Sequence, residues 1–211
     1  VEGKISQATV RRLVSAIERQ VKDCVVPIVT KVAVLGNPYP VLISCMLSLR
    51  TRDEVTAEAT ARLFSLARTS QALARLKPRT VEKAIYPVGF YRTKARAVIG
   101  ASRIIVSRFA GKVPHTRDEL LSLPGVGRKT ANLVLGLGYG IPAICVDTHV
   151  HRIPNRLGWI RTKDPRASEE ALEKIVPRDL WIKLNTVLVT FGQNICEPVS
   201  PRCSVCMVRA S

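Results

Sequence analysis

The chain has 211 residues, 46% of them hydrophobic and 23% charged, with 33 Lys and Arg against 16 Asp and Glu and a formal net charge of +17. That apolar content supports a packed core in one large domain or two small ones and excludes bulk disorder. A cation this strong attracts polyanions through its field and through counterion release, so nucleic acid is the leading expected partner and an anionic membrane surface the competitor.

In chain order, Val10, Leu13, Val14, Ile17 and Val21 fall on one helix face. Val25-Val26-Pro27-Ile28-Val29 is the best strand candidate, but Pro27 demotes it. Ala57, Ala61, Phe64 and Leu66 to Ala67 make a second apolar helical stripe near Thr60 to Arg68. Thr80 is placed to cap a helix through Val81, Ala84 and Ile85, and Lys94 to Phe109 reads as a longer helix. Thr116-Arg117-Asp118-Glu119 has capping-box form, and Ser168-Glu169-Glu170 opens a helix in the same style. Trp181 to Phe191 reads as helical and buried. Breaks fall near Gly36-Asn37-Pro38, Lys77-Pro78, Gly111 to Pro114, Gly140 to Pro142 and Lys163-Asp164-Pro165. The expected class is all-α, roughly ten helices with short loops. The basic residues are spread along the chain, which favours a folded basic face over a disordered arm.

No run of 18 apolar residues is present, so no transmembrane helix is expected. Val1-Glu2-Gly3-Lys4 carries no apolar signal core, and an intracellular protein is expected. The first residue is not Met, so a few residues are expected to precede it.

The segment from Leu120 to Ala131 carries the most information. An apolar helix end runs into Pro124-Gly125-Val126-Gly127, and a new helix begins at Arg128-Lys129. The two glycines permit positive φ and close backbone approach. Outward amides at Gly125 to Gly127, added to a positive helix end, would hold a phosphate and position a duplex without reading its sequence. This is the helix-hairpin-helix pattern; the bland alternative is a tight inter-helix turn. Lys129 sits in the first helical turn, as a second phosphate contact or as a nucleophile. A lysine attacks only when neutral, and partial burial and a positive helix end favour the neutral amine. Attack on a sugar C1′ would give a Schiff base, and β-elimination of the 3′ phosphate would follow.

Asp147 emerges from the apolar run Ile144-Cys145-Val146 into Thr148-His149-Val150-His151-Arg152. It reads as a helix N-cap, or as a carboxylate that stabilises positive charge developing at C1′ and helps deprotonate Lys129. His149 and His151 are two apart and share no helix face, which argues against a two-histidine metal site.

Cys24, Cys45 and Cys145 are isolated among apolar neighbours and read as small buried hydrophobes. Cys196, Cys203 and Cys206 are clustered, which suggests an iron–sulfur site, with zinc as the alternative occupant, rather than disulfides. Arg202 beside them is expected near a phosphate backbone.

Together Leu123 to Asn132, Val146 to Arg152 and the Cys-x6-Cys-x2-Cys run of 196–206 resemble the endonuclease III family, in matching order over most of the chain. The resemblance implies two helical domains with a DNA cleft between them. One is a six-helix barrel at 31–141 that carries the hairpin. The other joins 1–30 to 142–211 and holds a 4Fe–4S cluster on Cys196, Cys203 and Cys206. The family pattern places a fourth cysteine six positions after Cys206, one residue beyond Ser211, so the chain is expected to be trimmed there.

The family's activity implies a bifunctional glycosylase and abasic-site lyase acting on oxidised pyrimidines in damaged duplex DNA, as a monomer, with the damaged nucleotide flipped out of the stack. Lys129 is then the nucleophile and Asp147 its partner. Gly89-Phe90-Tyr91 resembles the wedge loop: Phe90 would enter the duplex and Arg50 would fill the gap, where the family often has glutamine. Pro124, Gly125, Val126, Gly127, Arg128 and His149 are implied DNA contacts. The alternatives are a monofunctional mismatch glycosylase, which generally lacks lysine at the position of Lys129, a non-catalytic hairpin DNA-binding module, and a membrane-surface protein.

Overall fold

The computed structural model describes residues 5–34 and 36–209. In chain order its helices are α1 (Gln7–Gln20), α2 (Ile28–Ala33), α3 (Pro38–Ser48), α4 (Asp53–Leu66), α5 (Ser70–Ala74), α6 (Pro78–Ile85), α7 (Tyr91–Arg108), α8 (Arg117–Leu121), α9 (Arg128–Leu133), α10 (Thr148–Arg156), α11 (Pro165–Ile175) and α12 (Trp181–Asn194). A π-helical stretch, Val134–Gly138, continues α9. No strand occurs among the described residues: 25–27 are irregular and the chain becomes helical at Ile28. The helices form two compact units, Ile28–Gly140 and the two chain ends Val1–Pro27 with Ile141–Ser211.

In the unit built from the chain ends, the expected stripe of α1 is buried at Val10, Leu13, Val14 and Ile17. It shares a core with Val150 and Ile153 of α10, Leu172 of α11 and Leu184, Leu188 and Phe191 of α12. Each such side chain contributes about 1.5–3 kcal/mol on burial. Ser6 caps α1 by accepting from the Thr9 amide at 3.1 Å. The expected helix start at Ser168 lies further upstream. Asp164 caps α11 by accepting from the Ala167 amide at 2.9 Å, and Pro165 occupies the first turn. Ser168 is instead fully buried inside α11, with its hydroxyl 2.6 Å from both His151 Nδ1 and Thr162 Oγ1. A polar pair this deep needs partners, and this network ties α11 to α10.

In the 28–140 unit, α3 is buried at every residue from Val41 to Leu47, the pattern of a central core helix. Its Tyr39 hydroxyl meets Ser102 of α7 at 2.8 Å, and burial pushes that phenol up to about 12. Helix α4 buries Thr56, Ala59, Thr60 and Leu63. Of the expected stripe, Ala67 is buried, Leu66 is exposed, and Ala57, Ala61 and Phe64 line a surface groove of about 590 Å³ with Ile28 and Val32. Helix α6 starts at Pro78 rather than at Thr80, because proline suits a first turn whose amides have no helical acceptor. Helix α7 begins at Tyr91, three residues before the expected Lys94. Thr116 caps α8 as expected, accepting from the Glu119 amide at 3.4 Å, but the reciprocal bond differs from a capping box: the Thr116 hydroxyl donates to the Glu119 carboxylate at 2.6 Å.

Candidate active site and nucleic-acid interface

Helices α8 and α9 are joined by the turn that carries Pro124 to Gly127. Gly125 has φ +77°, and a Cβ there would lie 2.9 Å from Ala97 Cβ of α7 and 3.2 Å from Met46 Cε of α3. Both conformation and space therefore demand glycine. Gly127 differs from the sequence expectation. It is the N-cap of α9 in ordinary extended backbone, φ −102° and ψ 178°, with nothing within 4 Å of a built Cβ. The expected row of outward amides is also incomplete, because Val126 N–H donates to Leu123 O at 3.1 Å and its side chain is buried. Pro124, Gly125 and Gly127 are exposed and Arg128 half-buried.

Lys129 is half-buried in the first turn of α9. Its charge acts on Cys45, a fully buried thiol of α3. Burial pushes that thiol up to about 12, and the lysine partly opposes the rise. The nucleophile candidate thus stands beside the core helix of its own unit.

A second part of the same unit brings together Arg50, Gly89 and Phe90. Arg50 and Phe90 both have left-handed backbone, φ 53° and 58°. Each non-glycine residue there costs about 1–2 kcal/mol, so the fold must hold them. The Arg50 guanidinium carbon lies 5.7 Å from the Phe90 ring centroid, and Phe90 is 63% exposed. The ring is thus solvent-facing on a backbone outlier, and such outliers cluster at functional sites. Gly89 permits the arrangement: its Cβ position is 2.6 Å from the Arg50 carbonyl oxygen, and its amide donates to Thr51 Oγ1 at 3.2 Å. Tyr91 turns to Tyr86 in an edge contact, ring centroids 5.4 Å apart.

Asp147 belongs to the other unit and caps α10. Its Oδ1 accepts from both His149 N–H and Val150 N–H at 2.9 Å. His149 packs on α12 where Gly192 leaves room; a Cβ there would meet His149 Nδ1 and lie 2.9 Å from its Cγ. Arg152 Nη2 is 3.1 Å from His149 Nδ1 and donates to Cys196 O at 2.8 Å. Burial lowers the Arg152 pKa from its ordinary value.

Comparison with known proteins fixes the family. Residues 43–178 match the model described as HhH-GPD superfamily base excision DNA repair protein. Endonuclease III of Thermotoga maritima is 51% identical over 173 residues, 82% of this chain and 81% of that protein. This chain belongs to the endonuclease III family. The bovine endonuclease III-like protein 1 is 45% identical over 175 residues, 82% of this chain, which spans 57% of that longer protein. Among solved structures, a trapped endonuclease III–DNA covalent intermediate matches with TM-score 0.85 and 32% identity, covering 97% of this chain and 94% of the other. A thermostable thymine-DNA glycosylase matches with TM-score 0.83 and 25% identity, covering 94% and 92%. The all-helical fold is that of the endonuclease III family.

The endonuclease III family is associated with an iron–sulfur cluster, and the cysteines here can be tested against it. Cys196 is buried, Cys206 half-buried and Cys203 exposed, and all are free thiols. Arg156 Nη1 donates to Cys196 Sγ at 3.4 Å. A 4Fe–4S cluster takes four thiolates. Three are present in this segment, and among the described residues no group of three or more His, Cys, Asp or Glu is arranged to hold a metal. Cys196, Cys203 and Cys206 are thus of the right ligand type but are not gathered into a metal-holding group, and no chemistry is derived through the cluster. Arg202, expected near phosphate, lies 3.4 Å from Glu197.

Sequence reasoning missed Cys45 and Met46, which back Lys129 and Gly125 from α3, and it missed Lys94. Cys45 read only as a small buried hydrophobe, Met46 carried no signal, and Lys94 read as an ordinary helix start. Only the tertiary fold brings them to the candidate site.

Proposed function

We propose that this endonuclease III family member excises oxidised pyrimidines from duplex DNA and then cuts the strand, with Lys129 as nucleophile. The observation that carries this reading is a half-buried lysine in the first turn after the glycine hairpin, beside the buried helix α3. The neutral amine attacks C1′ of the damaged nucleotide and the bond to the base breaks, with its electron pair leaving on the base. The nitrogen loses a proton, and the C1′–O4′ bond then breaks with its electron pair on O4′, which takes up a proton, so that the sugar opens and an iminium joins Lys129 to C1′. The iminium acidifies the C2′ proton, and removal of that proton expels the 3′ phosphate. Asp147 is the carboxylate assigned to stabilise positive charge at C1′. Arg128, His149 and the Pro124 to Gly127 turn are assigned to the backbone, and Phe90 with Arg50 to the space vacated by the flipped nucleotide. The protein is proposed to act intracellularly as a monomer. Among its described residues no helix is long and apolar enough to cross a membrane.

The iron–sulfur cluster is a separate part of the proposal. Cys196, Cys203 and Cys206 would supply three of its thiolates in the loaded protein, and iron with acid-labile sulfide in the purified protein is its test. Absence of both from protein made under iron-replete conditions would end it.

The likeness to a thymine-DNA glycosylase favours a second reading, base release without strand cleavage. Borohydride trapping separates the two. With a duplex carrying one oxidised pyrimidine, the lyase reading expects a covalent protein–DNA band that disappears in Lys129→Ala. Base release with no band would assign Lys129 to phosphate contact and favour the monofunctional reading.

A further inference from the structure

Lys94 lies in the first turn of α7 and its side chain runs back beneath the strained residues. Its ammonium donates to Leu47 O at 2.7 Å, Leu49 O at 2.5 Å and Thr51 Oγ1 at 3.1 Å. An ammonium has three donors, and here three oxygens receive them. Two of those oxygens are carbonyls at the C-terminal end of α3, where a helix leaves its acceptors without helical partners. The third, Thr51 Oγ1, also accepts from the Gly89 amide at 3.2 Å and lies 3.3 Å from Leu49 O, to which it donates. Arg50 stands between Leu49 and Thr51 in the chain, and Phe90 between Gly89 and Tyr91. Both strained residues are therefore flanked by groups that Lys94 or Thr51 holds.

We infer that Lys94 is a positioning residue, whose ammonium, acting through Leu47, Leu49, Thr51 and Gly89, locks Arg50 and Phe90 into one rigid pair that opens the duplex. The inference rests on the proposed reading of Phe90 and Arg50 as the duplex-penetrating pair. Lys94 is half-buried and makes its contacts to the protein interior, so its role in the reaction is indirect. A plain helix cap would add stability and nothing else. A positioning residue controls one step, the displacement of a stacked and paired nucleotide, and is dispensable where that step is absent.

The experiment compares two substrates under single turnover: an oxidised pyrimidine within a duplex, and an abasic site in a single strand, where no stack or partner base need be displaced. Lys94→Met is expected to slow duplex excision about tenfold or more and to leave single-strand cleavage within about twofold, since small misplacements at a reacting centre cost large factors in rate. Lys94→Arg, which keeps the charge and some donors, is expected to recover part of the duplex rate. Thr51→Val breaks the link to Gly89 while leaving Lys94 on the two carbonyls, and is expected to act in the same direction more weakly; it serves if Lys94→Met does not fold. Equal loss on both substrates, or lowered thermal stability with both rates intact, would overturn the inference. Phe90→Ala distinguishes the two levels. If it leaves duplex excision unchanged, the reading of Phe90 fails and the inference with it. If it slows duplex excision while Lys94→Met and Thr51→Val do not, the inference alone fails.

Discussion

The Cβ position of Gly89 lies 2.6 Å from the carbonyl oxygen of Arg50, closer than a real Cβ and a backbone oxygen approach. The obstacle is main chain at both ends, so a methyl group there must move one loop away from the other. Gly89→Ala is expected to cost about 1–3 kcal/mol, the range for overpacking. At roughly 2–4 °C per kcal/mol for a chain of this size, the melting temperature should fall by several degrees. Excision from duplex DNA should fall further than that instability explains, because Phe90 moves with Gly89. Calorimetry and single-turnover excision together check this.

The two glycines of the hairpin should part company. Gly125→Ala meets Ala97 at 2.9 Å with φ at +77°, and should destabilise by about 1–3 kcal/mol. Gly127→Ala has open space and ordinary backbone, and should change stability by less than about 1 kcal/mol. Its methyl enters the space assigned to a phosphate, so DNA affinity should fall although the melting temperature does not. Denaturant unfolding and a fluorescence-anisotropy titration on the same duplex read the two effects; intact affinity in Gly127→Ala would move the phosphate elsewhere.

Asp147 carries a cap and a proposed charge, and substitution can divide them. Asparagine caps helices about as well as aspartate, so Asp147→Asn should keep its acceptor for the His149 and Val150 amides and keep stability. Alanine should cost about 0.5–2 kcal/mol. Activity should collapse in both. Activity retained in Asp147→Asn would reduce the residue to its cap.

Burial pushes the Lys94 amine down from its ordinary 10.5 to about 8. Between those values the unfolded chain holds a proton that the folded chain has released, so this group makes stability rise with pH from about 8 to 10.5 and leaves it flat below. The buried Tyr39 and Cys45, both pushed up to about 12, act in the opposite sense at the upper end. The informative quantity is therefore the difference between wild type and Lys94→Met in thermal unfolding across that range. It should grow in favour of wild type as pH rises; a difference independent of pH would contradict it.

Local chemistry made much of the fold readable. The face of α1 at Val10, Leu13, Val14 and Ile17, the Thr116 cap and the long α7 all express rules of local helix chemistry. Boundaries shifted where a competing residue won. Asp164 and Pro165 start α11 ahead of Ser168, and Pro78 starts α6 ahead of Thr80. The apolar stripe of α4 misled in part: Ala67 is buried as expected, but Thr56 and Thr60 are buried where the more hydrophobic Ala57, Ala61 and Phe64 line a surface groove. Among the candidate site residues, Lys129 and Asp147 were legible as candidates because each stands in a short contiguous motif. Lys94 was not: its three acceptors lie more than forty positions away and are backbone or hydroxyl oxygens without sequence signature.

The unit that carries Asp147 is assembled from both ends of the chain, and this has a consequence for birth on the ribosome. Helix α1 is made well before the face of Phe191, Leu188 and Leu184 that packs with it. At about 5–20 residues per second, α1 waits roughly ten to thirty seconds with its apolar stripe uncovered. The 28–140 unit is synthesised within that interval and has all its own contacts available. It should become protease-resistant on stalled nascent chains while the α1 segment is still cut, so the half that carries Lys129 is finished before the half that carries Asp147 exists.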